Sequence, residues 1–310
     1  MRLLTLAEYT ALERPGLEWL IQGIIPKPGL VTLLGEPKAG KSFLALQMGL
    51  ALSQGRAFEG HRVSPDTHRI LYLQFDTSEL IWRDRLRSML QADISLDGPL
   101  LMVHPEDNKI PMHILDHECL RWMREAKERA QPDLVILDVL REVHDADEND
   151  SQQMKQVGDA IMSLFGDCSI LVLHHTHKIP EDFTPSNIIN LSRGSSYLAG
   201  KSDNVLLIHN GFLHMAPRFA ERCRYRAVRM PTGLFHLPDT AELVRLEDAM
   251  LAFCAEFPEQ THNQLAPLAC QRLKVSRATW YRHLDGLPCV HAVAHTHLDA
   301  ESATPSPSPE

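Results

Sequence analysis

Residues 35–42 run Gly-Glu-Pro-Lys-Ala-Gly-Lys-Ser and fill every fixed position of G-x-x-x-x-G-K-[ST]. The pattern sets glycines where backbone N–H groups must wrap phosphate oxygens, and a lysine and a hydroxyl close it. On this reading Gly35, Glu36, Pro37, Lys38, Ala39, Gly40, Lys41, Ser42 and Phe43 cradle a nucleoside triphosphate, expected to be ATP. Lys41 reaches the β- and γ-phosphates, and Ser42 offers its hydroxyl to Mg²⁺. Three further polar groups each end an apolar run. Leu134, Val135, Ile136 and Leu137 lead into Asp138, a carboxylate suited to hold Mg²⁺ directly or through water. Residues 70–75 lead into Asp76, which can polarise an attacking water or simply cap the helix that follows. Leu171, Val172 and Leu173 lead into His174, His175, Thr176 and His177. A neutral histidine there can bond the γ-phosphate or the water and report hydrolysis to a neighbouring loop. A metal site on the same histidines lacks complementary cysteine or acid spacing.

These groups need a scaffold that sets strand ends side by side, and the chain supplies its pattern. Short apolar runs at 30–34, 70–75, 100–103, 134–137, 169–173 and 205–208 alternate with helical periodicities. That rhythm predicts an α/β fold with a mainly parallel sheet covered by helices. Ligands of such sheets sit outside the carboxyl ends of the strands, which is where Asp76, Asp138 and His174 fall. The runs 224–229 and 233–237, separated by Met230, Pro231 and Thr232, are expected to form a hairpin closing the sheet edge. The expected organisation is a lead-in over 1–28, an ATPase domain over 29–240, a small all-helical module over 241–290 and a flexible tail over 291–310.

The 310 residues carry a net charge of −9. That excludes a binder of nucleic acid over its whole surface and confines any such contact to local basic patches or an inner channel. Six cysteines are scattered without a C-x-x-C pair, as in reduced cytoplasmic proteins. No signal peptide opens the chain, and no uncharged apolar window approaches 18 residues, so a cytoplasmic location without a membrane span is expected.

The P-loop, residues 71–76, residues 137–144, residues 173–178 and Ser192-Arg193-Gly194-Ser195-Ser196 together resemble the RecA-like hexameric helicases. The likeness is nearest to plasmid RepA-type replicative helicases and more distant to the DnaB type, and it spans residues 15–240. It implies a RecA-like P-loop core, ATP and Mg²⁺ as cofactors, a homohexameric ring and single-stranded DNA as partner. Carried over, Lys41 and Ser42 take phosphate and Mg²⁺, Asp138 is the Walker B acid, and His174 or His175 is the sensor. Asp76 stands where the family commonly has glutamate, one methylene longer. Arg229 resembles the arginine finger that completes a neighbouring subunit's site, with Arg226 its rival. Arg193 and Lys201 are the basic residues of the segment that lines the channel in relatives, suited to tracking phosphates.

Past the core, residues 262–269 and 276–284 have the pattern of a helix-turn-helix or winged-helix module. Four basic residues and no acid lie between Arg272 and His283. Arg277 and Arg282 would then face a duplex groove. Cys289, His291, His295 and His297 are read as a histidine-rich linker rather than a zinc site. The leading expectation is an ATP-driven DNA helicase of plasmid or phage replication. The alternative is an ATP-switched DNA-binding regulator or loader without translocation.

Overall fold

In this computed structural model the described residues are 3–12, 16–91, 95–103, 113–180, 183, 185–238, 250, 253–254, 256–257, 262–275 and 280. The six apolar runs all form strands: β3 (Leu30–Gly35), β4 (Ile70–Gln74), β5 (Leu100–Val103), β6 (Leu134–Asp138), β7 (Ser169–His175) and β8 (Asn204–His209). Before them, β1 (Glu18–Ile21) and β2 (Ile25–Lys27) make an antiparallel pair whose Leu20, Ile21 and Ile25 join the main core. Two further strands, β9 (Phe212–Pro217) and β10 (Cys223–Arg226), extend the sheet to the order β10-β9-β8-β3-β7-β6-β4-β5. The six strands from β8 to β5 run parallel, and β9 and β10 are antiparallel.

Parallel strands buried on both faces need two apolar sets, and side chains alternate across the pleat to provide them. Val31, Leu33, Tyr72, Ile136 and Leu171 face α2 (Lys41–Ser53) and α3 (Glu79–Gln91), while Leu71, Leu73, Val135, Leu137 and Val172 face α4 (His117–Ala130) and α5 (Ser151–Phe165). The latter two helices start where an aspartate accepts first-turn N–H bonds: Asp116 caps α4 and Asp150 caps α5. In this numbering α1 is Leu6–Thr10 and α6 is Tyr197–Lys201.

The hairpin expected at the sheet edge is placed differently. The edge is closed by β9 and β10, whereas β11 (Val228–Arg229) and β12 (Phe235–His236) form a separate two-stranded sheet. The reason is the turn at Asn210-Gly211, where both residues have positive φ, 45° and 75°. A tight turn of that kind matches the twist of two strands and reverses the chain straight out of β8. The pair β11–β12 is thereby free to pack over α2 beside the phosphate-binding loop.

In the C-terminal region α7 (His262–Arg272) holds Pro267 within it, and Phe253, Leu265, Ala266, Ala269 and Trp280 share an apolar cluster. Arg277, Arg282, Cys289, His291, His295 and His297 lie outside the described residues. Among the described residues no helix is long and apolar enough to cross a membrane.

Candidate active site

The loop between β3 and α2 turns through Lys38 (φ 66°) and Gly40 (φ 98°), left-handed positions that glycine adopts without strain. Gly40 is also required by space, since a Cβ there would stand 2.7 Å from the Phe235 ring. The Gln47 amide holds Phe235 in place, donating to its carbonyl at 2.7 Å and accepting from its N–H at 2.9 Å. The β11–β12 hairpin is thus fastened over the N-terminus of α2, where the helix presents its positive end.

Lys41 is buried, and its ammonium donates to the Gly35 carbonyl at 2.9 Å and the Glu36 carbonyl at 3.1 Å. Burial pulls its pKa down to about 8, with Asp138 and Asp76 opposing that shift. The Ser42 hydroxyl donates to Asp138 Oδ1 at 3.1 Å, and the Tyr72 hydroxyl donates to Asp138 Oδ2 at 2.7 Å. Asp138 is 2% exposed, and burial raises its pKa despite both hydrogen bonds. Burial also raises the Tyr72 hydroxyl, and the adjacent carboxylate adds to it.

This donor set fits Mg²⁺. Asp138 is a buried carboxylate whose bonded partners are neutral hydroxyls, so it gains from a nearby cation. Oxygen ligands are what Mg²⁺ prefers, and it takes few of them from protein, the rest being phosphates and water. Among the described residues no group of three or more His, Cys, Asp or Glu side chains could hold a metal ion. Ser42 and Asp138 would hold Mg²⁺ here, and the ion would neutralise charge on the phosphates.

Lys41, Ser42, Asp76 and Asp138 line one cleft of about 450 Å³ together with Phe43, Arg85, His175 and Arg229. Asp76 is exposed on its wall, two residues beyond β4. Arg229 lies in the cleft of its own chain, its guanidinium carbon 5.1 Å from the Phe43 ring centroid.

The histidines split into two roles by position. His175 Nδ1 sits 3.3 Å from the Lys41 ammonium. Burial and then the Lys41 charge bring His175 down to about 4, so it is neutral near pH 7. A neutral ring that accepts from lysine through Nδ1 carries its proton on Nε2. His174 is 2% exposed and held at about 4, chiefly by burial, and its Nε2 lies 3.0 Å from the Arg193 carbonyl. That bond needs Nε2–H, which leaves Nδ1 bare, and Nδ1 has no partner among the described residues. The Arg193 N–H in turn donates to the His175 carbonyl at 2.9 Å. One residue on, the Gly194 N–H donates to His177 Nε2 at 3.1 Å. The strand end and the Arg193–Gly194 segment are therefore laced together.

Arg193 itself is half exposed and pairs with Glu148 at 3.3 Å. Lys201 is not brought near it. It ends α6, pairs with Asp159 at 2.9 Å, and lies two residues before Asp203, whose carboxylate bonds the N–H of Leu30 at the opposite end of the sheet. Tyr72, Arg85 and Glu148 were not singled out from the sequence. A hydroxyl inside the apolar run 70–75 is the one signal that could have found Tyr72, whereas Arg85 and Glu148 look like ordinary surface charges.

Residues 2–181 match the model of a family described as an AAA domain. Among solved structures, the ATPase domain of G40P shares the fold with a TM-score of 0.51 at 13% identity, over 69% of this chain and 86% of that one. A KaiC-like protein, PH0186, from the hyperthermophilic archaeon Pyrococcus horikoshii OT3 aligns at 12% identity over 71% of this chain and 94% of that one, with a TM-score of 0.45. The core is a RecA-like P-loop ATPase fold.

Proposed function

The chain belongs to the AAA domain family, and from that premise we propose that it is an ATP-hydrolysing motor that assembles as a ring, a hexamer, on single-stranded DNA. Lys41 and Ser42 grip the ATP–Mg²⁺ phosphates, Asp138 holds the ion's side of the site, and Asp76 polarises the attacking water. The observation that carries the motor reading is the link from Lys41 to Arg193. His175 touches Lys41 at 3.3 Å, and the carbonyl of the same residue accepts from the Arg193 N–H at 2.9 Å. A change at the γ-phosphate that moves the His175 ring can thereby reach the backbone of the basic segment. With Arg193 released from Glu148, its guanidinium can follow a phosphate backbone.

The test is DNA-stimulated ATPase and strand displacement, with Lys41→Ala as control, beside sizing with a non-hydrolysable ATP analogue and oligo-dT. The motor reading expects an oligomeric ring, stimulation by single strands, and loss of both activities in Lys41→Ala. A monomer or dimer under every condition removes it. ATP-dependent duplex binding without displacement transfers the assignment to an ATP-switched regulator.

A further inference from the structure

The cleft contains two arginines to which the proposed function gives no task within their own chain. Arg85 comes from α3 and Arg229 from β11, and both guanidinium carbons lie 5.1 Å from the centroid of the same Phe43 ring. Phe43 directly follows Ser42, so this ring sits at the first turn of α2. Arg85 is steadied by the Trp82 ring at 5.4 Å and by Thr77 Oγ1, 3.4 Å from its Nη1. Arg229 lies against the loop itself, its guanidinium carbon 3.7 Å from where a Cβ on Gly40 would stand. Pairing of Arg229 with Phe235 across β11–β12, and of Phe235 with Gln47, keeps it there.

Two guanidiniums beside one ring, in a cleft that also holds Lys41, repel one another in a medium poorer than water. Burial and the charge of Arg85 both lower the pKa of Arg229. Asp76 and Asp138 line the same cleft, and a polyanion entering it would add phosphate oxygens that guanidinium forks match in geometry and charge. We infer that Arg85 and Arg229 form a clamp in cis, supplied by the same chain as the P-loop, that grips the polyphosphate of the nucleotide bound there. This rests on the ATPase reading of the cleft. It differs from the sequence-based expectation for Arg229, which assigns that residue to a neighbouring subunit's site. The physical reason is the anchoring of the β11–β12 hairpin on α2 of its own chain.

Two measurements on the full-length chain test the clamp. The first is binding of fluorescent N-methylanthraniloyl ATP and ADP with Mg²⁺. Arg85→Gln and Arg229→Gln should each weaken binding about 10–100-fold, the scale of one charged hydrogen-bonding partner. Arg85→Lys and Arg229→Lys, which keep the charge, should recover part of the loss and cover the case in which a glutamine variant misfolds. The second is a mixture of Lys41→Ala with Arg229→Gln subunits. In cis, neither subunit has a complete site and the mixture stays as inactive as its parts. ATPase recovery in the mixture would place Arg229 across an interface and overturn the clamp. Unchanged binding in both arginine variants, with wild-type binding intact, also overturns it and leaves the ATPase reading standing. Absence of binding by the wild type removes the ATPase reading first and the clamp with it.

Discussion

Tyr72→Phe isolates one hydroxyl at the Mg²⁺ side of the site. The ring is fully buried and its hydroxyl donates to Asp138 Oδ2 at 2.7 Å. Phenylalanine keeps the shape and leaves the buried carboxylate with Ser42 as its remaining hydroxyl donor. A hydrogen bond to a charged group contributes about 1.5–3 kcal/mol. At roughly 2–4 °C per kcal/mol for a domain of this size, the variant should melt about 3–12 °C lower where Asp138 is ionised in the native state. The sign of the pH dependence follows from Asp138, whose folded pKa lies above its unfolded value because of burial. The native state then holds the proton more tightly, and stability from this group falls as pH rises from the unfolded carboxylate range through the native pKa. Tyr72 works against that rise, so losing its hydroxyl moves the native pKa higher still. The deficit therefore grows with pH and is smallest where Asp138 is protonated in both states. Thermal unfolding of both proteins across pH 5–8 measures it. Equal melting temperatures throughout the range, or a deficit that is larger at the acid end, would refute the reasoning.

Three other perturbations follow from the same geometry. Only the charged form of Lys41 pairs with phosphate, so nucleotide affinity should fall as pH rises through about 8; an affinity flat to about pH 9.5 contradicts this. The depressed Lys41 pKa also means that the free protein, from this group alone, gains stability between about pH 8 and the unfolded value near 10.4. His174 and His175, both at about 4, are neutral across the physiological range, so kcat/KM should show no acid limb near 6.5 from them; a limb there that vanishes in His175→Asn counts against the assignment. Gly194 has φ +69° and a Cβ on it would stand 2.2 Å from the Glu148 carbonyl. Gly194→Ala must displace the Arg193 segment and should abolish stimulation of ATPase by oligo-dT while nucleotide binding changes less than about twofold; retained stimulation would break the proposed link.

Much of the core was legible without coordinates. The G-x-x-x-x-G-K-[ST] spacing specifies a backbone shape, and six apolar runs of strand length became six parallel strands because both sheet faces are buried. Their polar ends, Asp76, Asp138 and His174 or His175, could be aligned in advance, since the carboxyl ends of parallel strands share one edge, but only the fold decided that His175 rather than His174 enters the cleft. The local hairpin around Met230-Pro231-Thr232 forms as β11–β12, but the sheet edge belongs to β9 and β10, because the Asn210-Gly211 turn pairs β9 directly with β8. Lys201 looked like a companion of Arg193 in the sequence, yet α6 carries it toward the opposite end of the sheet.

The sequence by itself determined the phosphate-binding loop, the parallel sheet and the acids at its strand ends, because each depends on spacing within one short segment. Only the tertiary structure decided that Tyr72 serves Asp138, that His174 and His175 hold the Arg193 segment, and that Arg85 and Arg229 meet over Phe43. Those contacts join residues far apart in the chain. Burial and charge selected them once the sheet, α3 and the β11–β12 hairpin had packed around α2.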